Sequence, residues 1–280
     1  MDPAAAIEAA TGRRPAGLRP LPGGCIGEIY RVDFAAGEPL VAKAAPAGGL
    51  AIEGLMLRYL KAHSELPVPA VLHCEDRLLL MEYIETSGRL TASAEVHAAE
   101  LLAALHGITA AEFGFEGDTV IGSLRQPNPW TPGWRAFFRD QRLLYMARVA
   151  CERGNLPRAT LARLEKLCAR IEDLIDEPAA PALIHGDVWG GNVLVNDGRI
   201  AAFVDPAIYY ADPEIELAFS TLFSTFGQAF FERYQALRPI APGFFELRRD
   251  LYNLYPLLVH SALFGGHYPN AVHRIVARHV

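Results

Sequence analysis

The sequence predicts an α+β chain of two lobes, a small antiparallel β lobe with one helix followed by a larger, mostly helical lobe. Three observations predict it. Short β-rich runs crowd the chain up to Ile84, long alanine- and leucine-rich helical patterns fill most of the chain after Thr91, and one hairpin-like segment near Asn192–Asp205 interrupts the helices. The change of character near Glu82–Gly88 divides the chain into residues 1–84 and 85–280.

Ile29–Phe34 and Leu40–Ala44 read as strands joined by the turn Ala35-Ala36-Gly37-Glu38. A glycine-rich segment, Pro22-Gly23-Gly24-Cys25-Ile26-Gly27-Glu28, leads into the first of them. Leu50, Leu57 and Leu60, flanked by Ile52 and Met56, recur at helical spacing until Pro67 and Pro69 stop the pattern. AVLHCED and RLLLMEYI then form a hairpin with Glu75-Asp76 in its turn. Beyond it, TASAEVHAAELLAALHG, PGWRAFFRDQRLLYMARVACERG and RATLARLEKLCARIEDLIDE are three amphipathic or alanine-rich helices, and the chain after Asp212 is mostly helical as well. Between them PALI and NVLVNDGRIAAFVD carry β signal, the latter turning at Asn196-Asp197-Gly198, a sequence suited to positive φ.

Composition narrows the function. With 51% hydrophobic and 21% charged residues among 280, the chain can bury a core in one or two domains. Its net charge of −6 comes without a concentrated Lys/Arg face, which argues against nucleic acid as a partner. The pairs Arg13-Arg14 and Arg248-Arg249 read as solvated surface. Cys25, Cys74, Cys151 and Cys168 show no CxxC spacing, and MDPAAAIEAATG has no signal-peptide pattern. The apolar segments IELAFSTLFSTFGQAFF and LYPLLVHSALFGG are interrupted before the roughly 20 residues a membrane span needs. The expectation is a cytoplasmic protein with reduced thiols, not bound to membrane, and monomeric or weakly dimeric.

The chemistry concentrates in LIHGDVWGGNVLV, Leu183 to Val195. A plain surface turn would need Gly and Asn but neither His185, Asp187 nor Trp189. Folding the hairpin brings Asn192 and Asp205 side by side, with Asp187 on the loop just before them. An amide oxygen and a carboxylate suit Mg²⁺ better than zinc, and the remaining carboxylate, Asp187, can accept a proton from an attacking hydroxyl. These are parts of a phosphoryl-transfer site, and the protein-kinase template names the others. The first lobe supplies candidates for each. Backbone N–H groups of Gly23, Gly24, Cys25, Ile26 and Gly27 can approach phosphate oxygens. Lys43 stands alone in the apolar strand LVAKA, a costly place unless it meets an anion. Glu53 falls on the next helix, where it can pair with Lys43, and Glu82-Tyr83-Ile84 forms a hinge whose backbone can bond adenine. The expected architecture is a two-lobed protein-kinase-like fold that uses ATP and Mg²⁺.

Beyond these parts, the sequence resembles the fructosamine kinase (ketosamine-3-kinase) family. HGDVWGGNVL follows that family's HGDLWSGNVL pattern, and DPAIYYADPEIELA resembles its DPAVYYGDREVDLA. FGFEGDTVIGSLRQPNPW and GWRAFFRDQRL are similar to its FGF, T-x-x-G, Q-x-N-x-W and W-x-x-F-x-x-x-R-L segments, so the likeness runs from about Gly23 to Glu216. The resemblance implies transfer of phosphate from ATP to a hydroxyl of a ketosamine, free or on a protein lysine. It makes Asp187 the base, Asn192 and Asp205 the Mg²⁺ ligands, and Lys43 with Glu53 the phosphate anchor. It leaves His185 a structural role in orienting the loop, gives Trp189 a sugar face to stack on, and puts Gln126, Asn128 and Trp130 in an acceptor pocket. Departures are Glu216 where the family has Asp, Pro213 where it has Arg, and Gly27-Glu28 where Ser or Asn is frequent. Cys25 stands open between a redox-sensitive thiol and a small packed residue. A kinase of another small hydroxyl compound, such as an aminoglycoside, and a nucleotide-binding pseudokinase are the alternatives at this point.

Overall fold

A computed structural model describes residues 2–22 and 27–279. Gly23, Gly24, Cys25 and Ile26 of the expected glycine loop lie outside the described residues.

The N-terminal part opens with α1 (Pro3–Thr11), which Asp2 caps by accepting from the Ala4 N–H at 3.0 Å, with Pro3 in the first turn where its missing N–H is no loss. Five strands follow: β1 (Gly17–Pro20), β2 (Glu28–Asp33), β3 (Leu40–Ala44), β4 (Val71–Glu75) and β5 (Leu78–Glu82). They form one antiparallel sheet in the order β1-β2-β3-β5-β4, with α2 (Leu50–His63) in the connection from β3 to β4. Period-2 alternation divides the strand residues between two faces. Val32, Leu40, Ala42, Leu78 and Leu80 close a small core with Ile7 of α1. Leu79 and Met81 belong instead to the main core with Met56, Leu57 and Leu60 of α2. Lys43 is in register with Leu79 and Ile29, so it shares the face that α2 covers.

The larger part begins with α3 (Ala92–Leu105), capped by the Thr91 hydroxyl, and continues into a short hairpin of β6 (Thr119–Ile121) and β7 (Leu124–Gln126). Next comes an uninterrupted helical run in which α4 (Trp134–Phe137) passes through a π-helical stretch, Phe138–Leu144, into α5 (Tyr145–Glu152). The segment expected as one long helix over RATLARLEKLCARIEDLIDE is α6 (Arg158–Cys168) followed by a 3₁₀ turn at Ile171–Asp173. Leu167, Cys168, Ile171 and Ile175 are all buried, and the change of helix type turns the last two inward.

Four strands then form two further pairs: β8 (Ala182–Ile184), β9 (Val193–Asn196), β10 (Arg199–Phe203) and β11 (Tyr209–Ala211). β9 and β10 make the expected hairpin, and Asp197 and Gly198, with φ of 48° and 72°, occupy its turn in the left-handed region. β8 pairs with β11, which holds the two ends of the segment together. The chain ends with α7 (Glu214–Leu222), α8 (Gln228–Leu237), α9 (Arg249–Phe264) and α10 (Tyr268–His279). α9 is buried along most of its length, and its Leu251, Leu254 and Leu258 lie in the main core. Among the described residues no helix is long and apolar enough to cross a membrane, and Cys74, Cys151 and Cys168 are free thiols.

The W-x-x-F segment is a packing device. Trp134 is fully buried, its ring centroid 5.4 Å from that of Phe138, and its indole N–H donates to the Tyr252 hydroxyl at 3.0 Å. Truncating it opens a large cavity and removes that bond. Trp134→Ala is expected to lower the unfolding free energy by about 3–5 kcal/mol, measured by urea denaturation.

Candidate active site

Lys43 and Glu53 meet as the sequence arrangement requires: β3 turns Lys43 toward α2, and the first turn of α2 carries Glu53. The ammonium donates to Glu53 Oε1 at 2.6 Å and also to Asp205 Oδ1 from the other lobe. Lys43 and Glu53 are both buried. Burial alone would depress the lysine pKa, but the two carboxylates outweigh it and hold Lys43 above its usual value. Burial also raises the Glu53 carboxyl, to about 7, against the pull of Lys43.

Asp205 sits at φ 54°, an uncommon conformation for a residue with a side chain and one that costs on the order of 1 kcal/mol or more. The loop containing Asp187 is locked to the same segment. The Ala207 N–H donates to the His185 carbonyl at 2.8 Å, and Gly186, at φ 87°, passes so close that a Cβ there would collide with the Ala207 carbonyl oxygen. Only glycine fits this crossing. Asn192 donates its side-chain N–H to the Asp187 carboxylate at 2.8 Å and to the Asp187 carbonyl at 2.9 Å. That orientation leaves the Asn192 Oδ1 without a donor among the described residues. The three oxygen-bearing side chains therefore lie around one point, two of them in direct contact.

Glu216, the departure from the family pattern, holds this loop from below. Its carboxylate accepts from the Gly186 N–H at 2.6 Å, the His185 N–H at 3.4 Å and His106 Nε2 at 2.9 Å. Because a carboxylate accepts only, Nε2 of His106 carries the proton, and its Nδ1 lies 2.7 Å from the Tyr234 hydroxyl. Burial would raise the Glu216 carboxyl, but the bond from His106 and the backbone donors hold it below the ordinary glutamate value. His185 is buried as well, and its Nδ1 accepts from the Asp187 N–H at 3.3 Å. Burial lowers its pKa, so the ring is neutral and orients the loop.

Charge is out of balance here. Glu53, Asp187 and Asp205 face one ammonium, and the Asp187 carboxyl is pushed up to about 8 by burial and by the neighbouring charge of Asp205, opposed by the Asn192 bond. Asp187, Asn192 and Asp205 offer only oxygen, a donor set that fits a hard divalent cation such as Mg²⁺. Among the described residues no cluster of three or more His, Cys, Asp or Glu offers a competing metal site.

Lys43, Glu53, Asp187 and Asp205 line a cleft of about 740 Å³. Trp189 lines it, 41% exposed, with its ring edge-on to Phe223 at 6.1 Å. Sequence reasoning missed the facing wall. Phe223, His260, Phe264 and Tyr268 form a chain of ring contacts, with His260 5.1 Å from Phe223 and 4.9 Å from Tyr268. Its only sequence signal is the i, i+4, i+8 spacing of His260, Phe264 and Tyr268, which reads equally well as a core stripe.

Gln126 and Asn128 do not line the cleft, and the expectation that they bind an acceptor is corrected. Both are buried, and their amides are committed inside the protein. Gln126 donates to Thr119 Oγ1 and the Ala207 carbonyl at 2.8 and 3.0 Å and accepts from the Tyr255 hydroxyl at 2.6 Å. Asn128 donates to the Gly117 carbonyl and Thr119 Oγ1 and accepts from buried Arg142 at 2.6 Å. Trp130 is 43% exposed but packs beside Tyr210, outside the cleft lining. The hinge is divided. The Glu82 N–H is taken by the Ala70 carbonyl at 2.9 Å, whereas the backbone of Tyr83 and Ile84 makes no hydrogen bond to other described residues outside the regular sheet pairing. Gly27, the described end of the glycine segment, lies against the Ala44 carbonyl just beyond Lys43.

The sequence matches the family described as fructosamine kinase across residues 2–280. A Synechocystis protein provisionally designated a ketoamine kinase is 39% identical over 193 residues, 68% of this chain and 63% of the relative. That match spans less than two thirds of the relative's length. A Mus musculus ketosamine-3-kinase is 34% identical over 236 residues, 82% of this chain and 73% of its own. The crystal structure of a Thermobifida fusca protein, provisionally named a fructosamine-3-kinase, superposes with a TM-score of 0.85 at 34% identity, covering 99% of each chain.

Glu216→Gln keeps the shape of the buried clamp but removes its charge. A carboxyl held below its ordinary value stabilises the fold above that value, 4.5, and loses this contribution as pH falls through its depressed folded-state pKa. The variant is expected to be less stable than the parent by roughly 1–3 kcal/mol at pH 7, with the difference shrinking on acidification. Thermal unfolding at a series of pH values measures it.

Proposed function

The chain belongs to the fructosamine kinase family, and from that premise we propose that it transfers the γ-phosphoryl group of ATP to a hydroxyl of a ketosamine, the adduct of a sugar with a free amine or a protein lysine. The observation that carries the proposal is that Asp187 and Asp205 line one cleft with the buried Lys43–Glu53 pair, while Asn192 holds the Asp187 carboxylate by a hydrogen bond. Residues 1–84 would form the nucleotide lobe and 85–280 the catalytic and acceptor lobe, since β5 ends at Glu82 and α3 begins at Ala92.

Lys43, kept charged by Glu53, anchors the α- and β-phosphates, and the free backbone of Tyr83 and Ile84 receives adenine. Asn192 Oδ1 and the Asp205 carboxylate would hold Mg²⁺, with Lys43 passing from Asp205 to phosphate oxygens as nucleotide enters. Bound there, Mg²⁺ supplies neutralisation of the charge on the phosphate oxygens. Asp187 accepts the proton of the attacking hydroxyl. Its raised pKa lies near working pH, which suits a base that must take a proton and later release it. The Asn192 N–H fixes the carboxylate rotamer. Trp189 offers an aromatic face to the sugar and helps exclude water from the reacting oxygen. Positioning and charge, with no covalent intermediate on the protein, account for the catalysis. Among the described residues the cleft lining has no acidic group beyond Glu53, Asp187 and Asp205, which disfavours a polycationic aminoglycoside as acceptor.

Mg²⁺-dependent ADP release with ribulosyl- and fructosyl-lysine, beside an aminoglycoside, tests the proposal. Turnover on the ketosamines supports it, and turnover on the aminoglycoside alone contradicts it. Asp187→Ala is expected to lower kcat by on the order of 10²–10⁴ while nucleotide binding persists. In the parent, kcat/KM for the acceptor should fall as pH drops below the raised pKa of Asp187, because the base is then protonated. Steady-state kinetics across pH checks both.

A further inference from the structure

Among the described residues, the cleft lining holds one arginine that the phosphoryl-transfer chemistry does not use. Arg153 lines the cleft together with His260, Phe264 and Tyr268, just beyond the end of α5. Arg153 is exposed and, among the described residues, has no carboxylate partner within ion-pair distance. Its one side-chain hydrogen bond to a described residue, from Nη1 to the Ala262 carbonyl at 3.3 Å, duplicates a bond that Asn155 makes to the same oxygen at 3.3 Å. Capping α9 therefore does not require Arg153, and most of its N–H donors are free.

The surroundings say what those donors would meet. Phe264 is 58% exposed at the cleft wall, and Trp189 and Phe223 also keep exposed ring surface. His260 donates its Nδ1 proton to the Pro256 carbonyl at 2.7 Å, and burial lowers its pKa, so it adds no positive charge. An acceptor seated between the rings thus presents its sugar hydroxyl to Asp187 and its amine substituent to an apolar wall that ends in a lone guanidinium. A planar guanidinium pairs best with a planar anion, and a carboxylate fits it in bidentate fashion.

We infer that Arg153 binds a carboxylate on the acceptor, so that the preferred substrate is the ketosamine of a free amino acid and not a sugar adduct buried in a protein chain. The inference rests on the ketosamine kinase reading. A lysine side chain within a protein carries its adduct but has no carboxylate of its own at the far end, whereas free lysine brings its α-carboxylate.

The test compares ribulosyl-lysine as the free amino acid with its α-carboxamide and with ribulosylated protein, for the parent and for Arg153→Gln and Arg153→Lys. The expected parent preference for acid over amide in kcat/KM is about tenfold or more, as for loss of a charged hydrogen bond. Arg153→Gln should bring that ratio to about one by raising KM for the acid, with kcat on it retained, and Arg153→Lys should restore part of it. Equal kcat/KM for acid and amide in the parent, or an equal loss on both in Arg153→Gln, overturns the inference and leaves the kinase reading standing. Better turnover of the protein adduct than of the free acid also overturns it. No turnover of any adduct removes both.

Discussion

One buried ammonium shared by two carboxylates joins the two halves of this protein. Lys43 comes from the third strand of the N-terminal sheet, Glu53 from the helix that covers it, and Asp205 from the loop after the C-terminal hairpin. Desolvating such a group is expensive, and the cost is offset only because both carboxylates reach it. Three features depend on the arrangement: the register that turns Lys43 toward α2, the position of α2 itself, and the strained backbone at Asp205. Asp187 adds a third carboxyl beside the triad, and burial together with the charge of Asp205 pushes it up to about 8 because no second cation among the described residues faces it. A site of this kind suits a cation that travels with a polyanion, which is the electrostatic form of a metal–nucleotide complex.

Around the triad stands a frame of buried polar groups. Glu216 accepts from the backbone of the Asp187 loop, the Gly186 crossing ties that loop to residue 207, and Gln126 supports the same carbonyl from the other side. Asn128 and Arg142 stabilise the strand that carries Gln126, and the Arg142 guanidinium lies 3.8 Å from the Tyr209 ring centroid. Removing either partner of one of these bonds would strand the other, buried and unsatisfied, so the frame is rigid for energetic reasons. Rigidity here fixes the Asp187 carboxylate within hydrogen-bond reach of its orienting amide.

The sequence made legible whatever is local. Asp197-Gly198 demands a tight hairpin, Leu50, Leu57 and Leu60 demand a helix, and a lysine in LVAKA demands an anion, and each demand is met nearby. Less of the environment could be read. Gln126 and Asn128 look like pocket residues because amides in a proline-rich segment are usually exposed, and their burial involves Arg142 on the next helical run and Tyr255, 129 positions beyond Gln126. α1 escaped because a short alanine-rich stretch has little periodicity, although Asp2, Pro3 and Gly12 mark its ends. The wall of Phe223, His260, Phe264 and Tyr268 escaped for the opposite reason, since aromatic residues at helical spacing ordinarily signal a core. Glu216 was visible as a departure from the family pattern, but its part in holding Gly186 needed His106, from a helix over a hundred positions earlier, to be seen beside it.

The central claim is that the acidic excess around Lys43 is completed by a divalent cation entering with a nucleotide. Calorimetric titration of the protein with ATP, in the presence of Mg²⁺ and in the presence of a chelator, tests it most directly. The account predicts that binding is strong with Mg²⁺ and at least tenfold weaker without it, as expected if two oxygen ligands lose the cation they share with the phosphates. Equal affinity in the two titrations would contradict it.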